Sequence, residues 1–162
     1  MTLRLVLALV SFSLSFDCLA DLRLQSPAQA CTVLNDTELR AGEWTPHQDG
    51  HEGCTSGARL IAPSSTDDNK ISFIVEGLSG VPNKVRLILS VHLPSDEGAA
   101  KRELIKATKR LSVRMLGLSI PEKFNQSILK GESIQLDVGS GRASLIRTSV
   151  NKQSYVLSVL ME

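Results

Sequence analysis

The sequence predicts an α+β fold, a mostly antiparallel sheet of about five strands with helices packed on one face. Three observations lead there. Two adjoining stretches between Asn69 and Leu93 alternate apolar and polar residues with a period of two, as a hairpin does. After Pro94, apolar residues recur at every third and fourth position, the spacing of an amphipathic helix. The last thirty residues return to alternation, broken twice by turn residues. Strands in separate runs with helices between them favour a sheet covered on one side over a parallel βαβ arrangement.

With 162 residues, 42% hydrophobic and 22% charged, the chain has the size and composition of one globular domain. A net charge of +1 excludes a strongly basic nucleic-acid binder as a whole-chain description. Three stretches differ in texture: residues 1–20, 21–69 and 70–162.

Met1 to Ala20 (MTLRLVLALVSFSLSFDCLA) reads as a signal peptide. Its uncharged run from Leu5 to Phe16 is shorter than the ~20 residues a bilayer-spanning helix needs. Cys18-Leu19-Ala20 offers small residues at −3 and −1, so cleavage is expected before Asp21. Asp17 stands where a lipidation signal at Cys18 would want a small residue. The expected mature chain is exported, to a bacterial periplasm or the extracellular space, and has no transmembrane segment. It keeps two cysteines, Cys31 and Cys54, and an even count in an oxidising compartment predicts a disulfide.

In the mature chain, Ser26-Pro27 opens a short helix to Leu34, with Ser26 as N-cap. Asn35 to Ser65 is rich in Gly, Pro, Asp and Ser and reads as irregular, with one short strand near Arg59 to Ala62. The hairpin follows: Ile71, Phe73 and Val75 on one strand, Val85 to Leu93 on the next, and Gly77 to Asn83 as the turn. Ser95 is the expected N-cap of the long helix, whose stripe is Ala100, Leu104, Ala107, Leu111 and Met115 and whose stop is Gly117. A second helix after Pro121 turns Phe124 and Ile128 inward and stops at Gly131. Ile134 to Val138, Ser144 to Val150 and Tyr155 to Met161 form a three-stranded meander.

Chemistry-bearing motifs are sparse. HQDGHEGC places His47, Asp49, His51, Glu52 and Cys54 within eight residues. Histidine and carboxylate are ligands zinc and copper prefer, which makes His47, Asp49 and His51 the weak metal candidates. Their spacing defines no closed site, and a disulfide removes Cys54, so no cofactor or stoichiometric metal is expected. Ser127-Ile128-Leu129-Lys130 matches S-x-x-K, a pair used by serine acyltransferases, but K-T-G is absent and the chain is far too short for that fold. Trp44, the single tryptophan, lies in the polar segment as a small local core or a partner anchor.

Charge is unevenly spread. Residues 21–69 hold 3 basic and 8 acidic residues, whereas residues 70–162 hold 14 basic and 8 acidic. Once the long helix turns its stripe to the sheet, Arg102, Lys106, Lys109 and Arg110 must face solvent. Either the acidic segment before residue 70 covers them or a partner does, and the internal cover is the expectation. Together with Trp44 these four residues form the candidate partner surface.

Small size, export and the lack of a catalytic set point to a non-enzymatic envelope protein that binds another protein, of the inhibitor, immunity or secretion-accessory type. The alternatives are a periplasmic metal- or small-ligand-binding module using the histidine loop, and a small hydrolase whose site the sequence hides.

Overall fold

The computed structural model describes residues 22–47, 50–61 and 69–162; the expected signal segment and Asp49 lie outside them. Three helices are α1 (Pro27–Thr32), α2 (Glu97–Leu116) and α3 (Glu122–Lys130). Eight strands are β1 (Thr45–Pro46), β2 (His51–Thr55), β3 (Arg59–Leu60), β4 (Lys70–Leu78), β5 (Val81–Val91), β6 (Ile134–Val138), β7 (Gly141–Ser149) and β8 (Tyr155–Met161). They form one sheet in the order β1-β2-β4-β5-β8-β7-β6, with β3 also paired to β4. Every pairing is antiparallel. The fold is α+β, as expected, with eight strands rather than about five. No helix among the described residues is long and apolar enough to cross a membrane.

The extra strands come from the segment that reads as irregular. β2 has almost no apolar alternation; it becomes a strand because β4 offers it a free edge. β2 and β3 follow one another along that edge, and Ser56 bridges the interruption. Its backbone N–H donates to the Phe73 carbonyl (2.8 Å) and its hydroxyl accepts from the Phe73 N–H (2.9 Å). The β4–β5 turn is also tighter than GLSGVPN suggests. Only Ser79 and Gly80 turn, at φ of 51° and 75°, the left-handed pair a two-residue hairpin demands. Gly77 absorbs a bulge, since a side chain there would collide with the Val81 carbonyl.

The inner face is built in rungs. Cys54, Val75, Val85, Met161, Ala143 and Leu136 lie in register across six strands. Phe73, Leu87, Val159, Leu145 and Ile134 form the next rung across five. Fully buried members such as Phe73, Leu87 and Val159 each contribute roughly 1.5–3 kcal/mol of transfer free energy. The third rung runs through Ile71, Leu89 and Leu157 and ends on Arg59 at one margin and Arg147 at the other. The opposite face carries Ile74, Ile88, Ile146, Val156 and Leu160, half-buried to exposed and separated by serines.

α2 lays Ala100, Leu104, Ala107, Leu111 and Met115, all buried, against β5, β8 and β7. It starts later than its sequence suggests. Pro94–Asp96 forms a 3-10 turn, so Asp96 rather than Ser95 stands at the N-cap, and it makes no side-chain cap bond. Gly117 ends the helix at φ 82°. The Ser112 hydroxyl accepts from the Ile120 N–H (3.0 Å) and so fixes the link to α3. α3 buries Phe124 and Ile128, and Gly131 closes it at φ 70°.

Cys31 of α1 and Cys54 of β2 are joined, with Cα atoms 6.0 Å apart and a sequence separation of 23. The bridge fastens the N-terminal helix to the strand most weakly encoded by its own residues. On the chain-entropy account a loop of this length is worth about 3 kcal/mol. We expect Cys31→Ala/Cys54→Ala to lose about that much in urea unfolding; equal stability of variant and wild type would show that the staple is redundant.

Candidate functional site

A cleft of about 540 Å³ runs along α2 between the helix and the residues around a 3-10 turn at Asn35–Thr37. Arg102, Glu103 and Lys106 line it from the helix, Arg59 from β3, and Asp36 and Glu38 from the N-terminal segment.

Its acidic wall is built locally. Thr37 donates its hydroxyl to the Leu34 carbonyl (2.7 Å), which closes the turn and presents Asp36 to the helix. Arg114 meets the Asp36 carboxylate with both terminal nitrogens (2.8 and 2.9 Å) and also reaches the Val33 carbonyl. Arg110 approaches the same carboxylate at 3.6 Å. The Arg114 hydrogen bonds hold the Asp36 carboxyl below its usual range, and the Asp36 carboxylate in turn raises the Arg114 guanidinium. This fork-to-fork geometry is the favourable one for an arginine and a carboxylate.

Across the cleft a chain of ion pairs runs from segment to helix. Glu38 lies 3.9 Å from Arg59, Arg59 donates to Glu103 (3.0 Å), and Glu103 lies 3.8 Å from Lys106. Arg102 and Lys109 have no carboxylate within ion-pair distance among the described residues. The acidic segment therefore covers Arg110 and Arg114, while Arg102, Lys106 and Lys109 stay toward solvent. The cleft itself is lined by three cations, Arg59, Arg102 and Lys106, and three carboxylates, Asp36, Glu38 and Glu103. Lys109, Arg110 and Arg114 continue along α2 beyond it, where Glu122 of α3 acts on Lys109.

The other sequence candidates are not drawn into this cleft. Trp44 is half-buried against the core, and its indole N–H donates to Glu52 (2.8 Å), which also accepts the Gly80 N–H (2.7 Å). His47 and His51 are exposed at the β1–β2 end, joined by a backbone bond from His47 N–H to the His51 carbonyl (2.7 Å). Asp49 lies outside the described residues, and Cys54 is held in the disulfide. Ser127 is buried in α3 while Lys130 projects to solvent and lies 4.0 Å from Glu132, so the S-x-x-K residues form no dyad. Sequence reasoning missed Asp36, Glu38 and Arg59 individually. The only signal for them was the acidic excess before residue 70.

The Asp36 bridge has a pH signature. A carboxyl whose folded pKa is lowered contributes stability above its unfolded pKa and loses that contribution as pH falls through the folded value. We expect Asp36→Asn to lower the melting temperature at neutral pH, and the gap from wild type to close below the usual aspartate range. A gap that persists unchanged in acid would show that the side chain acts by packing alone.

Compared with known proteins, the chain matches no family model, no curated sequence and no solved structure.

Proposed function

We propose that the protein is an exported, non-catalytic binding protein that captures another protein through the cleft beside α2, by recognising an acidic segment of that partner. One observation carries the reading: internal pairing stops partway along the helix. Arg110 and Arg114 have Asp36, whereas Arg102 stands without an ion pair and Lys106, with 58% of its side chain exposed, has only a distant one. Both line a cleft of about 540 Å³. Exposed cations without close partners on a concave surface attract an anionic partner and speed its encounter.

Export is supported by the signal-like first twenty residues and is compatible with the Cys31–Cys54 bridge. The partner's apolar contact would come from half-buried Ala99, which shares the cleft with the charged residues.

A capped, fluorescent glutamate-rich peptide tests the surface by anisotropy at low and physiological salt. We expect saturable binding that weakens as salt rises, because partly exposed charges are screened within a Debye length of about 8 Å. Arg102→Glu/Lys106→Glu should weaken it roughly tenfold or more, and the remote reversal Lys123→Glu should not. Equal loss with both variants, or no saturable binding, would contradict the docking role.

A further inference from the structure

The opposite margin of the sheet holds a second cavity, independent of the α2 cleft. It measures about 280 Å³ and lies between the start of α2 and the turn that joins β7 to β8. Glu97, Arg147, Ser149, Lys152 and Tyr155 are among the residues that line it.

Tyr155 is the unusual member. The residue is only 5% exposed, its hydroxyl is buried, and the Glu97 carboxylate beside it stands outside good hydrogen-bonding geometry. A buried polar group left this way is costly unless something satisfies it. The ring is held from two directions, by the Arg147 guanidinium 4.1 Å from its centroid and by the Lys101 ammonium at 5.8 Å. The nearby Glu97 carboxylate is already engaged by Lys101, which also donates to the Leu129 carbonyl (2.7 Å). Burial, then the neighbouring Glu97 carboxylate as an acceptor and as a charge, push the phenol well above its usual range, so the hydroxyl remains a donor.

The charge count is equally one-sided. Lys101 neutralises Glu97, and neither Arg147 nor Lys152 has a carboxylate within ion-pair distance among the described residues. α2 begins at Glu97, so the first amides of a 20-residue helix add partial positive charge at the same place. We propose that this cavity binds a small oxyanion, the phosphate or carboxylate group of a ligand, held by Arg147, Lys152 and the Tyr155 hydroxyl. At about 280 Å³, near the lower end of small-ligand pockets, it has room for the anionic group and part of the molecule that carries it. The guanidinium, already stacked on the ring, keeps its donor edges for the anion.

Titration of the full chain with inorganic phosphate and, separately, acetate, followed by amide chemical shifts, tests the site. Saturable shifts confined to residues 149–155 and the first turn of α2 are expected with at least one of the two. Phosphate alone would identify a phosphate-bearing ligand, acetate alone a carboxylate. Tyr155→Phe keeps the ring and its stacking and removes one donor to a charged acceptor, so binding should weaken about tenfold. If that variant does not fold, Arg147→Gln and Lys152→Gln, both exposed positions, must show the same loss. Shifts spread without saturation over the basic surface, or wild-type affinity in Tyr155→Phe or in both glutamine variants, would overturn the assignment and leave the hydroxyl a neighbour of Glu97 only.

Discussion

The seating of α2 on the sheet decides most of what the rest of the molecule presents. Ala100, Leu104, Ala107, Leu111 and Met115 are buried on rungs that include Phe73, Leu87, Leu89 and Val159. At roughly 1.5–3 kcal/mol for each large apolar side chain, no arrangement of surface charges could turn the helix over. The buried face is wider than the stripe, because Lys101, Thr108 and Ser112 are buried too. They lie on the flank that α3 covers, and there Lys101 and Ser112 find polar partners: Leu129 and Glu97 for Lys101, Ile120 and Lys109 for Ser112.

With the helix fixed, its remaining cations have to be managed at the surface. Asp36 accounts for two of them through one bidentate contact and one looser one. That contact depends on the N-terminal segment being held beside α2. The Cys31–Cys54 bridge ties the segment to β2, and Arg23 adds a backbone bond to the Met115 carbonyl (2.8 Å). The proposed sites share a structural origin. Both lie where the third rung of the inner face runs past the helices and ends on an arginine, Arg59 at one margin and Arg147 at the other.

Elements with strong periodicity were legible in the sequence. The α2 stripe, the inward Phe124 and Ile128 of α3, the glycine stops and the alternating strands β4, β5, β6 and β8 follow from side-chain spacing alone, whereas β7 begins at Gly141, three residues before the Ser144 its sequence suggests. The β2 strand was not legible, because His51–Thr55 acquires its structure from the edge of β4 rather than from its own residues. The α2 cleft was half legible. Stripe geometry pointed to Arg102, Lys106, Lys109 and Arg110, but their carboxylate partners lie more than sixty residues away for Arg110 and Arg114. Tyr155 and Arg147 gave no signal: each occupies an ordinary strand position, and only the register and the arrival of Lys101 and Glu97 from α2 bring them together.

The orientation of α2 is the central claim, and residue-resolved lysine modification of the folded protein tests it most directly. Lys101 is 6% exposed and held by Glu97 and Leu129, whereas Lys106 on the same helix is 58% exposed. With a limiting amine-reactive reagent and peptide mass mapping, Lys106 and Lys109 should be modified quickly. Lys101 should react only when the chain unfolds. Modification of Lys101 at the rate of Lys106 in the native protein would contradict the seating of α2, and with it the account of which charges the molecule presents.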